Sequence, residues 1–242
     1  MNISLIGLYT DQLVNYLNRG VIGRAIDSGK INLNARQLRD FSDPPHHKVD
    51  DYPFSNRKGM LIKYDVLKKA LNQSSKNTTF VMPDPSGPIF NYKDAKALSL
   101  KEDITFISPA FEGVDARIFE SFSIHRFSVG DFILPNGDTS ILLMVETILR
   151  YLPGVLGSID CIEDDSILSG LLESPQFCAP RSIDQMDVPE VLLSGHHQEI
   201  DRWKLTQSIR RTLYSRPDLM NRFSFNQMLV KIVDQVIMED IQ

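Results

Sequence analysis

Short apolar runs alternate with amphipathic stretches through the first two-thirds of the chain, and their periods predict an α/β fold. Ile3 to Tyr9 reads as a buried strand, followed by a helix capped by Asp11 with Leu13, Leu17 and Val21 on one face. Ile31, Leu33 and Ala35 alternate with Asn32, Asn34 and Arg36, the period of two that marks a strand. A short helix from Asp65 through Leu71 precedes a β-branched strand, Thr79 to Met82, which runs into the turn-rich Pro83-Asp84-Pro85-Ser86-Gly87. A helix over Tyr92–Leu98, a strand from Ile104 to Ser108 and a loop from Pro109 to Gly113 repeat the pattern. A strand near Arg126–Leu134 leads to a helix from Thr139 to Leu152. Its apolar face takes Ile141, Leu142, Val145, Ile148, Leu149 and Leu152, and Pro153-Gly154 stops it. Such alternation implies a mainly parallel sheet with ligand sites at the strand ends.

Residues 158–190 show no sustained period and collect acids, prolines and glycines, which makes them a functional loop or a disordered connector. Helical spacing returns at Ser194, breaks at Ser215-Arg216-Pro217 and resumes in a last helix. There Phe225, Met228, Leu229, Ile232, Val233, Val236 and Ile237 form one apolar stripe, which reads as core packing. The pattern divides the chain into an α/β domain over 1–157, a linker over 158–190 and a small helical domain over 191–242.

Composition narrows the class. With 42% hydrophobic and 24% charged residues, the 242-residue chain has the balance of a soluble globular protein. No apolar run is long enough to span a membrane. Met1 to Thr10 lacks a basic leader and a cleavage site and reads as a strand, not a signal peptide. Cys161 and Cys178 have no metal-type spacing; reduced thiols in a cytoplasmic protein are the simpler reading, and a disulfide stays open. His196-His197 lack a third ligand at zinc spacing. The net charge of −5 argues against nucleic-acid binding over the whole surface, but the charge is uneven. Residues 196–222 hold six basic and three acidic side chains, whereas 150–195 hold eight acids and only Arg150 and Arg181 as bases. The basic segment fits a local phosphate-binding face or an ordinary solvated helix.

Several motifs say more. Asp50-Asp51-Tyr52-Pro53, Phe111-Glu112-Gly113-Val114-Asp115 and Ser128-Val129-Gly130-Asp131-Phe132-Ile133-Leu134 occur in the first half. Leu152-Pro153-Gly154-Val155-Leu156-Gly157, Gly170-Leu171-Leu172-Glu173 and Val188-Pro189-Glu190 through His197 follow, then Ile200-Asp201-Arg202-Trp203 and Arg216-Pro217-Asp218-Leu219. In order and spacing this set resembles the bacterial enzymes that methylate N1 of guanine 37 in tRNA. The resemblance implies a SPOUT-class fold with a deep trefoil knot, an obligate homodimer with active sites at the subunit interface, and S-adenosylmethionine as methyl donor.

It also implies roles. Methylating guanine N1 requires a base near N1 and a cation near O6. By family resemblance these are Asp165 and Arg150; on composition alone Asp165 sits in a solvated acidic run and Arg150 is a helix-end cation. The matching donor-binding loops contain Pro85, Ser86 and Gly87; Pro109, Phe111, Glu112 and Gly113; and Ser128, Val129, Gly130, Asp131, Phe132, Ile133, Leu134 and Gly137. Glu112 matches a glutamate near the target guanine, positioning the base or a magnesium ion. Arg202, Lys204, Arg210 and Arg211 are the expected tRNA contacts.

Four segments depart from the family pattern. A glycine-rich stretch is here Ser55-Asn56-Arg57-Lys58-Gly59-Met60, and a Cys-Gly pair is Ser108-Pro109. A basic residue before Phe111 is Ala110, and Thr-Gly-Gly-Glu-Leu-Pro is Pro135-Asn136-Gly137-Asp138-Thr139-Ser140. All surround the expected donor pocket. Two readings follow: an active methyltransferase, or a catalytically impaired dimeric RNA-binding relative with an altered pocket.

Overall fold

The computed structural model describes residues 1–54, 58–155, 170–221 and 227–241. The chain divides into two compact units, Met1–Gly157 and Ser158–Gln242. In the first, strand β1 (Asn2–Gly7) is followed by helices α1 (Thr10–Leu17) and α2 (Gly20–Asp27) and strand β2 (Asn32–Gln37). A two-stranded ribbon, β3 (Asp50–Asp51) with β4 (Leu61–Ile62), precedes α3 (Tyr64–Asn72) and β5 (Thr79–Pro83). Then come α4 (Tyr92–Ser99), β6 (Asp103–Ile107), the short α5 (Ile118–Ser121), β7 (Ile124–Phe127) and α6 (Asp138–Arg150).

The main sheet has the order β2-β1-β6-β5-β7, and every neighbouring pair is parallel. Alternating side chains give it two apolar faces, as a buried parallel sheet requires. Ile3, Leu5, Val81, Ile104 and Phe106 pack with Leu13, Leu17, Leu98, Ile141, Val145 and Ile148 from α1, α4 and α6. Ile6, Met82 and Ile107 face the other way, against Val66, Leu67 and Leu71 of α3 and Ile118 of α5.

Local details correct the periodicity reading. Tyr9, not Asp11, occupies the position before α1, and Asp11 lies in its first turn. Val21 belongs to α2, because Gly20 adopts φ 59 and breaks the helix. The strand expected to reach Leu134 starts at Ile124 and ends at Phe127, and Gly130, at φ 129, turns the chain away from an extended path. Helix α6 ends at Arg150 instead of Leu152 and buries Met144, which the expected stripe omitted.

The second unit holds β8 (Ser182–Ile183) and β9 (Met186–Asp187), then α7 (Glu190–Leu193), α8 (His197–Ser215), α9 (Pro217–Met220) and α10 (Gln227–Ile241). The hairpin corrects the expectation of a connector without regular structure over 158–190. Asp184 and Gln185 both take positive φ, the geometry of a tight two-residue hairpin turn. Leu171, Ile209, Met220, Leu229, Ile232 and Val236 form this unit's core. Phe225 of the expected stripe lies outside the described residues, and Ile237 is exposed.

Candidate active site

Because β6, β5 and β7 are adjacent and parallel, the loops leaving their carboxyl ends converge. They enclose a cleft of about 560 Å³, within the range of small-molecule sites. Its floor and walls include Pro85 from the first loop, Pro109, Phe111, Glu112 and Gly113 from the second, and Ser128, Val129, Gly130, Phe132, Ile133, Leu134 and Gly137 from the third. Three expected members, Ser86, Gly87 and Asp131, do not line it. Ser86 instead accepts a hydrogen bond from Arg126 at 3.1 Å, and its N–H donates to the Asp84 carboxylate at 2.7 Å. Gly87 lies so close to the neighbouring strand β7 that a Cβ would fall 2.5 Å from the Arg126 carbonyl group, so only glycine lets the first loop pack against β7.

Sequence reasoning did not place Phe119 or Phe127 on the cleft wall, whereas Asn136 and Ser140, which also line it, fall in a segment expected around the donor pocket. Phe119 carries the Arg126 guanidinium 4.8 Å over its ring, and its position after β6 gives no periodic signal.

Two of the departing segments, Ser108-Pro109 and residues 135–140, touch one another. Ser108, only 1% exposed, donates through Oγ to the Asp138 carboxylate, and Asn136 donates to that carboxylate's other oxygen at 2.9 Å. The Gly137 N–H donates to the Pro109 carbonyl at 2.8 Å, and a Cβ at Gly137 would sit 2.5 Å from the proline ring. Proline at 109 and glycine at 137 therefore fit as a pair. Gly59, the one glycine of Ser55-Asn56-Arg57-Lys58-Gly59-Met60, takes φ 101, and a Cβ there would lie 2.3 Å from Glu112 Cγ. The Glu112 N–H donates to the Met60 carbonyl at 3.0 Å, so this segment sets where Glu112 stands in the cleft. Beside it, the Asp115 carboxyl is held below its ordinary value by hydrogen bonding from Arg117, against the opposing effect of burial.

Arg150 is not in this cleft. It lines a separate cavity of about 350 Å³ with Tyr16, Arg19, Glu146 and Val155. The nearby Glu146 carboxylate, by charge and then by hydrogen bonding, raises the Tyr16 phenol above its ordinary value. Ser140 in the first cleft and Arg150 in the second cavity belong to the same helix, separated by about 15 Å along its axis. Asp165 lies outside the described residues.

The four expected tRNA contacts, Arg202, Lys204, Arg210 and Arg211, all lie on α8. Lys204 and Arg211, seven positions apart, share a face and are exposed, whereas Arg202 lies about 180° around the helix from Arg211. Arg211 donates to the Glu173 carbonyl at 2.6 Å, and Arg210 is half-buried. The four do not form one stripe. Among the described residues no three His, Cys, Asp or Glu side chains converge as metal ligands, and no helix is long and apolar enough to cross a membrane.

Residues 1–222 match the family described as tRNA (Guanine-1)-methyltransferase TrmD. Three curated relatives carry the name tRNA (guanine-N(1)-)-methyltransferase. The protein from Dehalococcoides mccartyi is 33% identical, with 99% of this chain and 98% of the relative covered. That from Staphylococcus epidermidis is 38% identical over 94% of each, and that from Pseudoalteromonas translucida is 36% identical over 93% of this chain and 90% of the relative.

Proposed function

The chain belongs to the tRNA (guanine-1)-methyltransferase family, and from that premise we propose that it transfers a methyl group from S-adenosylmethionine to N1 of guanine 37 in tRNA. The observation that carries this reading is the cleft at the carboxyl ends of β5, β6 and β7, the position where open α/β sheets take their ligands. Its volume, its apolar wall of Phe111, Phe119, Phe127 and Val129, and the close loop approach at Gly87 and Gly137 fit a nucleoside-sized donor. When bound there, S-adenosylmethionine supplies an electrophilic methyl group. Phe111, Phe132 and Leu134 exclude water from it, and Glu112 faces the incoming base.

The chain's own residues handle the guanine proton. Asp165 removes it from N1 as general base, and Arg150 stabilises the negative charge that develops at O6. Arg150 lies a helix length from the cleft of its own chain, which supports an active site completed by a second copy. The exposed face of α6 that carries Leu143 and Arg150 beside Tyr16 is suited to receive that copy. Residues 1–157 then form a knotted donor-binding domain of the SPOUT class, 158–190 the linker that carries Asp165, and 191–242 a helical tRNA-binding domain. Arg202, Lys204, Arg210 and Arg211 neutralise tRNA phosphates from it. A magnesium ion would find two carboxylates on the cleft lining, Asp84 and Glu112, of which Asp84 already accepts from the Ser86 N–H, and no step above depends on it. The setting is the cytoplasm.

The contacts between altered segments support a rebuilt pocket over a lost one, which weighs against the impaired relative. Calorimetry with S-adenosylmethionine, followed by methyl transfer to a tRNA with guanine at 37, tests the reading. Binding and N1 methylation are expected; absence of donor binding would contradict it.

A further inference from the structure

We propose that Ser108, Asn136 and Asp138 are positioning residues that tie the second cleft loop to the third and so hold the third loop open for the methyl donor. The proposal rests on the donor-binding reading of the cleft and deepens it.

The tie runs from the sheet outward. The Ser108 N–H donates to the Ile6 carbonyl at 2.7 Å, which anchors Ser108 to β1. Its hydroxyl donates to Asp138 Oδ1, and Asn136 Nδ2 donates to Asp138 Oδ2 at 2.9 Å. The Asp138 N–H returns to Asn136 Oδ1 at 3.1 Å, so the two residues clasp each other. An ionised carboxylate only accepts, and here each oxygen meets a donor from a different loop. Hydrogen bonds to a charged group are roughly twice as strong as neutral ones. Asp138 also opens α6, where negative charge is favoured. Asn136 lines the cleft, but Ser108 and Asp138 do not; their effect on a ligand passes through Asn136 and Gly137.

The third loop needs such a tether. Phe132 is 71% exposed, Ile133 is fully exposed and Leu134 is 40% exposed, all on the cleft rim. Without a tether, burying these side chains in the apolar cleft would be favourable and would close it. A loop already held open avoids that ordering cost on binding.

Asp138→Asn removes the charge and one acceptor oxygen, so the bonds from Ser108 and Asn136 lose their charge-assisted strength and one of them must reverse or break. The dissociation constant for S-adenosylmethionine, read by calorimetry, should rise about ten- to hundredfold. The rate at saturating donor should stay within about threefold, because the reacting groups are untouched. Backbone amides of 131–137 should exchange faster in the donor-free variant. Ser108→Ala should weaken binding about tenfold, Ser108→Cys should restore part of it through a weaker donor, and the double variant should be no worse than Asp138→Asn.

Donor affinity within about twofold of the parent in both single variants would overturn the proposal. So would a loss confined to the rate at saturating donor. If the parent itself binds no S-adenosylmethionine, the donor-binding reading fails, and amide exchange alone decides the tether: unchanged exchange over 131–137 in Asp138→Asn overturns it, and faster exchange supports it.

Discussion

The two ends of helix α6 contrast sharply. At Asp138 the helix starts inside a dense set of loop-to-loop contacts, with Ser108, Pro109, Asn136 and Gly137 fitted to one another. At Arg150 it ends in an open cavity shared with Tyr16, Arg19 and Glu146, and its charged groups face outward. One end is finished within the chain and the other is suited to completion from outside it. Under the proposed function, the difference makes donor binding and base handling separate tasks in one copy, to be brought together by pairing two.

The largest expected effect sits at Asp165, the proposed base. Asp165→Asn should lower the methyl-transfer rate by about 10²- to 10⁴-fold, the range for losing a general base, with donor affinity by calorimetry within about twofold. An unchanged rate would show that another group takes the N1 proton.

At the finished end, Gly137→Ala places a Cβ 2.5 Å from the Pro109 ring. Overpacking of that kind costs about 1–3 kcal/mol, so donor affinity should fall about ten- to hundredfold or the thermal midpoint should drop correspondingly. Wild-type values for both would mean the two loops move independently.

The smallest effect concerns Asp115. Hydrogen bonding from Arg117 holds its folded-state pKa below the unfolded value. The pair therefore contributes stability above the unfolded pKa of about 3.9, and that contribution is lost as pH falls through the folded value. Because Arg117 is largely exposed, Asp115→Asn should cost about 1 kcal/mol or less at pH 7. In urea melts the difference from the parent should shrink as the pH is lowered below 4, and a difference independent of pH would contradict the assignment.

The sheet was legible where one physical signal dominated. Ile3, Leu5 and Ile104 fall in continuous apolar runs, and these run through β1 and β6 within a residue or two. The pattern misled where backbone conformation overrode it: Gly20 splits α1 from α2, and Gly130 cuts short a strand that Phe132, Ile133 and Leu134 seemed to prolong. Those three are apolar yet exposed, a combination that periodicity reads as core. The site was legible chiefly through motif order, which picked out most of the cleft-lining loops. Pairing between Ser108 and Asp138, thirty residues apart, has no local signature, and the roles of Arg150 and Asp165 came from resemblance alone.

The central claim is that a cleft from one copy works with Arg150 and Asp165 from another. It is tested by mixing two inactive variants, Gly137→Trp to fill the cleft and Arg150→Ala combined with Asp165→Asn to remove the base-handling groups, after denaturation and co-refolding. Random pairing makes half the dimers mixed, each with one of its two sites intact, so about a quarter of wild-type methyl transfer should return. If the mixture stays as inactive as its components while mixed dimers are demonstrably present, Arg150 and Asp165 do not both come from the copy opposite the cleft, and the account is wrong.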